Sequence, residues 1–294
     1  MLLAATVGCG PNLPVNLSPN LERAEKIRAE IDTGGAAVAA TGPVLVEPTG
    51  WATLTGTFKL IGTPPAEDPL KVTQDLGTCA PGGMAPVAGT IQIGSGGGLA
   101  NVLLFMTTTT PPDDPKWEHP DYAENKDATL TRAFDQKNCL FLDRIFPLRA
   151  SQTVLVKNSD PVGHNANIQP KSGAKPENFT IPGGQSVAYK PGGATNDPFS
   201  VSCAIHPWMK AWMISRPNPY FAVTDKSGAF QIANLPAASG LKLEFRSWHE
   251  RPGYLQQVTV DGEPAAWKKG RFEIELEPGA TRNLEITIDA SLLK

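Results

Sequence analysis

Cys203-Ala-Ile-His206-Pro-Trp-Met209 places a thiol, an imidazole and a thioether in one short stretch, with two residues between Cys203 and His206 and two between His206 and Met209. Sulfur ligands select soft metal ions, and imidazole beside them narrows the choice towards copper. Structural zinc sites prefer further Cys or His and seldom use Met, so zinc fits less well. The set lacks one nitrogen donor. An upstream segment, Asn158-Ser-Asp160-Pro-Val-Gly-His164-Asn165, supplies it as His164. Taken singly, a Met is ordinary core filling and a buried Cys is inert. Four donors in this order and spacing form a joint pattern.

The surroundings of both segments read as short strands. The chain carries 28 Gly and 28 Pro among 294 residues, which favours strands joined by turns over long helices. Alternating or short apolar runs fall at 53–61, 90–93, 99–106, 152–157, 186–189, 199–202 and 210–215. The turn Gly94-Ser-Gly-Gly-Gly98 separates the second run from the third, and 107–126 reads as a long polar surface loop. His164 follows one strand, and the Cys-His-Met stretch lies between the last two. Before all of these, Ser18-Pro19 can start a helix whose apolar spacing ends near Gly34-Gly35. Residues 10–50 thus read as a tether with one short helix.

This layout resembles the cupredoxins. The short ligand spacing and Pro207 after the second His are most similar to the amicyanin branch, within the wider plastocyanin-like group. The resemblance implies one type 1 copper ion held by His164, Cys203, His206 and Met209, with Met209 as a long axial ligand, and electron transfer by Cu(II)/Cu(I) cycling. It also implies that Asn165 ties the two ligand loops together and that His206 faces solvent. Pro207 has no N–H to give the sulfur. With Trp208 it would form an apolar patch where a redox partner protein docks.

A second signature follows. Tyr220-Phe-Ala-Val-Thr-Asp225-Lys-Ser-Gly228-Ala-Phe230 joins two strands through an Asp-x-x-Gly turn, and Leu241 to Glu250 continues as a strand. This resembles the carboxypeptidase-regulatory or transthyretin-like β-sandwich family. Together the two signatures resemble bacterial exported proteins of the methylamine-utilisation type. The expected fold is all-β, with a cupredoxin Greek-key sandwich inserted in, or fused to, a transthyretin-like β-sandwich. The expected divisions are 1–50 (signal-like segment and tether), 51–110 (first part of the sandwich), 111–217 (copper module) and 218–294 (the rest of the sandwich, completed by 51–110 if the copper module is an insertion). The alternative gives 51–110 to the copper module as edge strands.

Composition limits the other readings. Twenty-six basic and 29 acidic residues give a net charge of −3, without the basic excess of a nucleic-acid binder. No apolar run reaches membrane-spanning length. Leu2 to Gly8 followed by Cys9 resembles a bacterial lipoprotein signal with Cys9 as the lipidated residue, although the apolar run is short and lacks a positive start. Export to the periplasm or cell envelope, with a lipid anchor at Cys9, is the expectation. Cys79 and Cys139 allow two readings, a disulfide in an oxidising compartment or two buried thiols. His119 reads as a surface residue and His249 as a structural hydrogen-bonding one. No hydrolase elbow, zinc-protease or phosphate-loop motif is present. The ligand set that the resemblance implies is complete and leaves no open position for substrate, so a non-enzymatic electron carrier is expected. Copper storage or delivery, and a metal-free carbohydrate- or protein-binding sandwich, are the alternatives.

Overall fold

Strand Gly50–Ile61 shows how the alternating pattern becomes structure. Its side chains point alternately inward and outward, with Ala52, Leu54, Phe58 and Leu60 buried, as the two-residue period of a strand requires. It pairs antiparallel with Ala229–Ala237 and parallel with Thr281–Asp289. The computed structural model describes residues 46–111 and 114–293, together with residues 22, 23, 25 and 26, which are helical. Cys9 and most of the expected tether helix lie outside the described residues. Residues 1–45 form one unit and 46–294 a second. Among its described residues the second is all-β apart from one-turn helices at Leu76–Cys79 and Pro120–Ala123 and short 3-10 turns.

Four sheets make two sandwiches within this unit. In the first, the sheet containing Gly50–Ile61 also holds Gln257–Val260 and Glu263–Ala266. It faces a five-stranded sheet built from Phe221–Val223, Leu103–Met106, Lys242–His249 and Gly253–Tyr254, with Arg271–Glu275 also paired to Lys242–His249. Leu54, Phe58, Leu104, Met106, Phe245 and Ile286 share the core between them. In the second, one sheet runs in the order Ile145–Arg149, Lys210–Arg216, Phe199–Ser202, His164–Gln169, Glu177–Ile181. The other runs Leu140–Phe141, Phe134–Lys137, Val154–Asn158, Ser186–Tyr189. Phe134, Val156, Ile168, Val201 and Met213 fill that core.

Strands from the 51–110 segment therefore pair with strands after residue 218, and none pairs with the sheets that carry His164 and Cys203. One part of the segment behaves differently. Residues 69–87 form an excursion closed at its base by the Pro69–Val87 bridge and by Leu70 N–H donating to Pro86 O at 2.8 Å. Its Val72 and Cys79 pack into the core of the second sandwich. Two local expectations differ from the structure. Residues 90–93 contribute only an isolated bridge, Ile93 to Leu99, instead of a strand. The 107–126 loop is anchored inward, since Trp117 is buried and Tyr122 Oη donates to Ala233 O at 3.0 Å.

The glycine turn and the Asp-x-x-Gly turn explain each other. Asp225 Oδ1 accepts from the backbone N–H groups of Ser227 and Ala229 at 2.7 and 3.1 Å, and these bonds, led by the Ser227 hydroxyl, hold its carboxyl below the usual range. A Cβ at Gly98 would lie 2.0 Å from Ser227 O, and one at Gly228 would lie 2.1 Å from Phe58 O. Gly228 also has a left-handed φ of +79°. Gly228→Ala is expected to cost about 2–4 kcal/mol, from the left-handed backbone and the overlap together. Urea unfolding with an unchanged slope measures this, and a wild-type midpoint would contradict the packing described.

Candidate metal centre

Adjacent strands bring the donors together. Phe199–Ser202 and Lys210–Arg216 form an antiparallel pair whose last register position is Ser202 to Lys210. Residues 203–209 are the connection, closed by Cys203 N–H to Met209 O at 3.2 Å and Met209 N–H to His206 O at 2.9 Å. His164 opens the neighbouring strand, which pairs Asn167 with Ser202. His164, Cys203, His206 and Met209 are all buried, and Cys203 is a free thiol.

The two imidazole Nδ1 atoms lie 2.9 Å apart. Cys203 Sγ lies 3.8 Å from His206 Nδ1, and one donor atom from each of the three residues falls within 4.8 Å of the others. Each ring is fixed from behind: His164 Nε2 meets Asp160 Oδ2 at 2.7 Å, and His206 Nε2 meets Asp75 Oδ2 at 2.8 Å. An ionised carboxylate only accepts, so each Nε2 carries the proton. Both Nδ1 atoms then present lone pairs to one another, which is repulsive without a cation at that point. Burial pulls the His164 imidazolium below its ordinary range, against the opposing pull of Asp160, and His206 adds to the depression. The sulfur is prepared for negative charge, since Asn165 N–H and His206 N–H point at it from 3.3 and 3.4 Å. The donor set fits a soft, imidazole-loving ion such as copper.

The carboxylates and a disulfide lock this geometry. Asn158 Nδ2 donates to Val162 O and Ile181 O at 2.8 and 2.9 Å, shaping the 158–164 loop. Asp160, 3% exposed, also accepts from the N–H groups of Asn138 and Cys139 at 2.7 and 2.8 Å. Those two residues form a hairpin turn with φ of 54° and 55°, the left-handed pair such two-residue turns require. Cys139 is bonded to Cys79 across a sequence separation of 60. Trp208 Nε1 donates to Cys139 O at 3.1 Å, and the Trp208 ring sits 5.0 Å from that of His206. Asn165 Oδ1 accepts from Ala204 N–H, and Asn165 Nδ2 donates to Asn178.

The predicted donors His164, Cys203 and His206 meet at one point, and Met209 is buried in the same core. Asn165 bridges the two ligand loops. Exposed Pro207 follows His206 without an N–H. One expectation is corrected: His206 does not face solvent but is 0% exposed, because the 69–87 excursion and Trp208 cover it. Asp75 and Asp160 were missed as partners of the rings. Asp160 stood in the quoted His164 segment, four residues before the imidazole. Nothing in the sequence ties Asp75 to His206 except its nearness to Cys79. His119 is half-buried, caps the Pro120–Ala123 helix and meets the Trp51 ring edge-on at 5.0 Å.

No family model matches the chain, and no curated protein matches it. Among solved structures, it is similar to a copper-containing nitrite reductase from Thermus scotoductus SA-01, at 18% identity over 29% of this chain and 22% of that one, TM-score 0.27. The chain thus spans less than a quarter of that enzyme. It is also similar to amicyanin: a reduced tryptophan-to-tyrosine variant at 15% identity, 38% of this chain and 98% of that one, TM-score 0.27, and an oxidised proline-to-alanine variant at 13% identity with the same coverage, TM-score 0.26. The second sandwich is described by its own strand order and by the placement of its candidate donors.

His249 lies outside this centre and is fully buried, with Nδ1 accepting from Arg251 N–H at 3.3 Å. Burial, then the charges of Arg144 and Arg251, push its pKa down to about 4. An unfolded imidazole titrates near 6.5. Between these values the unfolded chain holds a proton that the folded chain lacks, so this contribution is complete above about pH 6.5 and is lost as pH falls towards 4. It amounts to about 3 kcal/mol at full span. Unfolding midpoints followed from pH 7 to pH 4 should fall less steeply in His249→Gln than in wild type; parallel curves would contradict the assignment.

Proposed function

We propose that this chain is an exported type 1 copper protein that carries single electrons, with His164, Cys203, His206 and Met209 as ligands. The observation that carries the reading is the buried pair of Nδ1 atoms 2.9 Å apart beside the Cys203 thiol, each imidazole pinned from behind by a carboxylate. Copper bound there would supply one-electron Cu(II)/Cu(I) chemistry. The chain's part is to hold the donors still, so that neither oxidation state demands rearrangement. Asp160 and Asp75 fix the ring planes, Asn165 fixes the two loops relative to each other, and backbone N–H groups stabilise the thiolate. Such outer contacts typically change metal affinity by about 10–100-fold.

Burial of all four ligands favours a resident ion over cargo for delivery, since release would require opening the 69–87 cover. The reading assigns no substrate position and no enzymatic activity. A redox partner protein would make contact near Trp208, which packs on His206 and, with Pro207 and Trp212, lines a 680 Å³ cleft. The other sandwich, read as transthyretin-like, would carry the copper lobe. Among the described residues no helix is long and apolar enough to cross a membrane, and a periplasmic or envelope location with a lipid at Cys9 belongs to the same proposal.

Purified protein titrated with Cu(II) should develop an intense visible thiolate-to-copper band at one equivalent, and Cys203→Ser should abolish it. A colourless but tight Cu(I) complex would instead mark a storage site. No uptake of either ion would leave a metal-free sandwich and overturn the proposal.

A further inference from the structure

The 69–87 excursion belongs by chain order to one sandwich yet ends on the metal centre of the other. Three contacts bring it there. Cys79 is joined to Cys139 beside the site, Gln74 Nε2 donates to Ile205 O at 2.9 Å, and Asp75 Oδ2 meets His206 Nε2 at 2.8 Å. Asp75 holds a left-handed backbone, φ 48° and ψ 42°, which is uncommon for a residue with a side chain and tends to persist where the surroundings impose it. Its carbonyl accepts from the N–H groups of Thr78 and Cys79 at 2.9 and 2.8 Å. The turn that aims the carboxylate at His206 is therefore the turn that delivers Cys79 to the disulfide.

We infer that Asp75 is a positioning residue for His206: the disulfide-pinned excursion fixes the imidazole with Nδ1 turned inward and seals its outer edge from water. The inference rests on the copper reading for its effect on potential, but not for its effect on the ring. Without Asp75 the imidazole loses the acceptor that specifies its tautomer and plane. An anionic partner on Nε2–H also makes the ring a stronger donor, which favours Cu(II) over Cu(I). Asp75 itself is part-exposed, with a side-chain accessibility of 39% against 0% for His206, so water reaches the carboxylate but not the imidazole.

Two measurements on the full chain test this. The first uses copper-free protein, treated with diethyl pyrocarbonate and read residue by residue by mass spectrometry. His206 should resist modification in wild type while part-exposed His119 reacts. Asp75→Ala should make His206 reactive by tenfold or more in rate, whereas Asp75→Asn, which keeps an acceptor, should stay near wild type. The second is the midpoint potential of the copper-loaded forms. Asp75→Ala should lower the Cu(II)-to-Cu(I) affinity ratio about tenfold or more, a rise of about 59 mV per tenfold. Asp75→Asn should fall between Asp75→Ala and wild type. Unchanged His206 protection in Asp75→Ala would overturn the inference, whether or not the protein takes up copper. An unchanged potential with full copper loading would overturn the electronic half alone. A wild type that binds no copper would remove the proposed function and leave the protection result to decide the role of Asp75.

Discussion

Two imidazole rings, buried and turned so that their Nδ1 atoms stand 2.9 Å apart beside a thiol, set the terms for everything around them. Such an arrangement is unfavourable by itself, because two lone pairs and a sulfur converge where water cannot mediate. It persists because each ring is held on its far side. Asp160 and Asp75 accept hydrogen bonds from the Nε2–H groups, and backbone N–H groups face the sulfur. The surrounding structure can be read as the means of holding those groups. Cys139 is the common point: its N–H binds Asp160, its carbonyl takes the Trp208 N–H, and its sulfur carries the excursion bearing Asp75.

The two sandwiches are joined by more than their linkers. Arg144 and Glu250 form a nearly buried bidentate pair between them, with Arg144 also donating to Lys210 O at 2.8 Å. Trp212 and Trp248 meet edge-on at 5.0 Å, and Arg216 donates to Met106 O at 2.9 Å. Removing one member of such a buried ion pair strands the other charge, so the pair resists separation even where its net stabilisation is small. A rigid join matters here because one sandwich contributes a residue to the other's centre. Were the lobes to move freely, Asp75 would have the disulfide, Gln74 and the packing of Val72 to keep it in register.

The parts of this arrangement that local pattern encodes were legible in the chain. Period-two alternation marked 53–61 and 152–157, a short apolar run marked 210–215, and order and spacing marked Cys203, His206, Met209 and His164. The Asp-x-x-Gly turn at 225–228 and the glycines at 94–98 were visible as turns, but their mutual packing was not. Asp75 escaped notice because its role arises from a contact between residues 75 and 206, made through an excursion with no periodicity. The same contact explains the misreading of His206, whose exposure depends on what covers it. Residues 90–93 looked like a strand because Ile91 and Ile93 alternate; only an isolated bridge forms there.

The claim on which this account depends is that His164, His206 and Cys203 close on a single ion. Anomalous diffraction at the copper edge from crystals of copper-loaded protein tests it most directly. The account predicts one strong peak bonded to both Nδ1 atoms and to Sγ of Cys203. Copper found instead at His119 or at surface carboxylates, with no peak between His164 and His206, would contradict it.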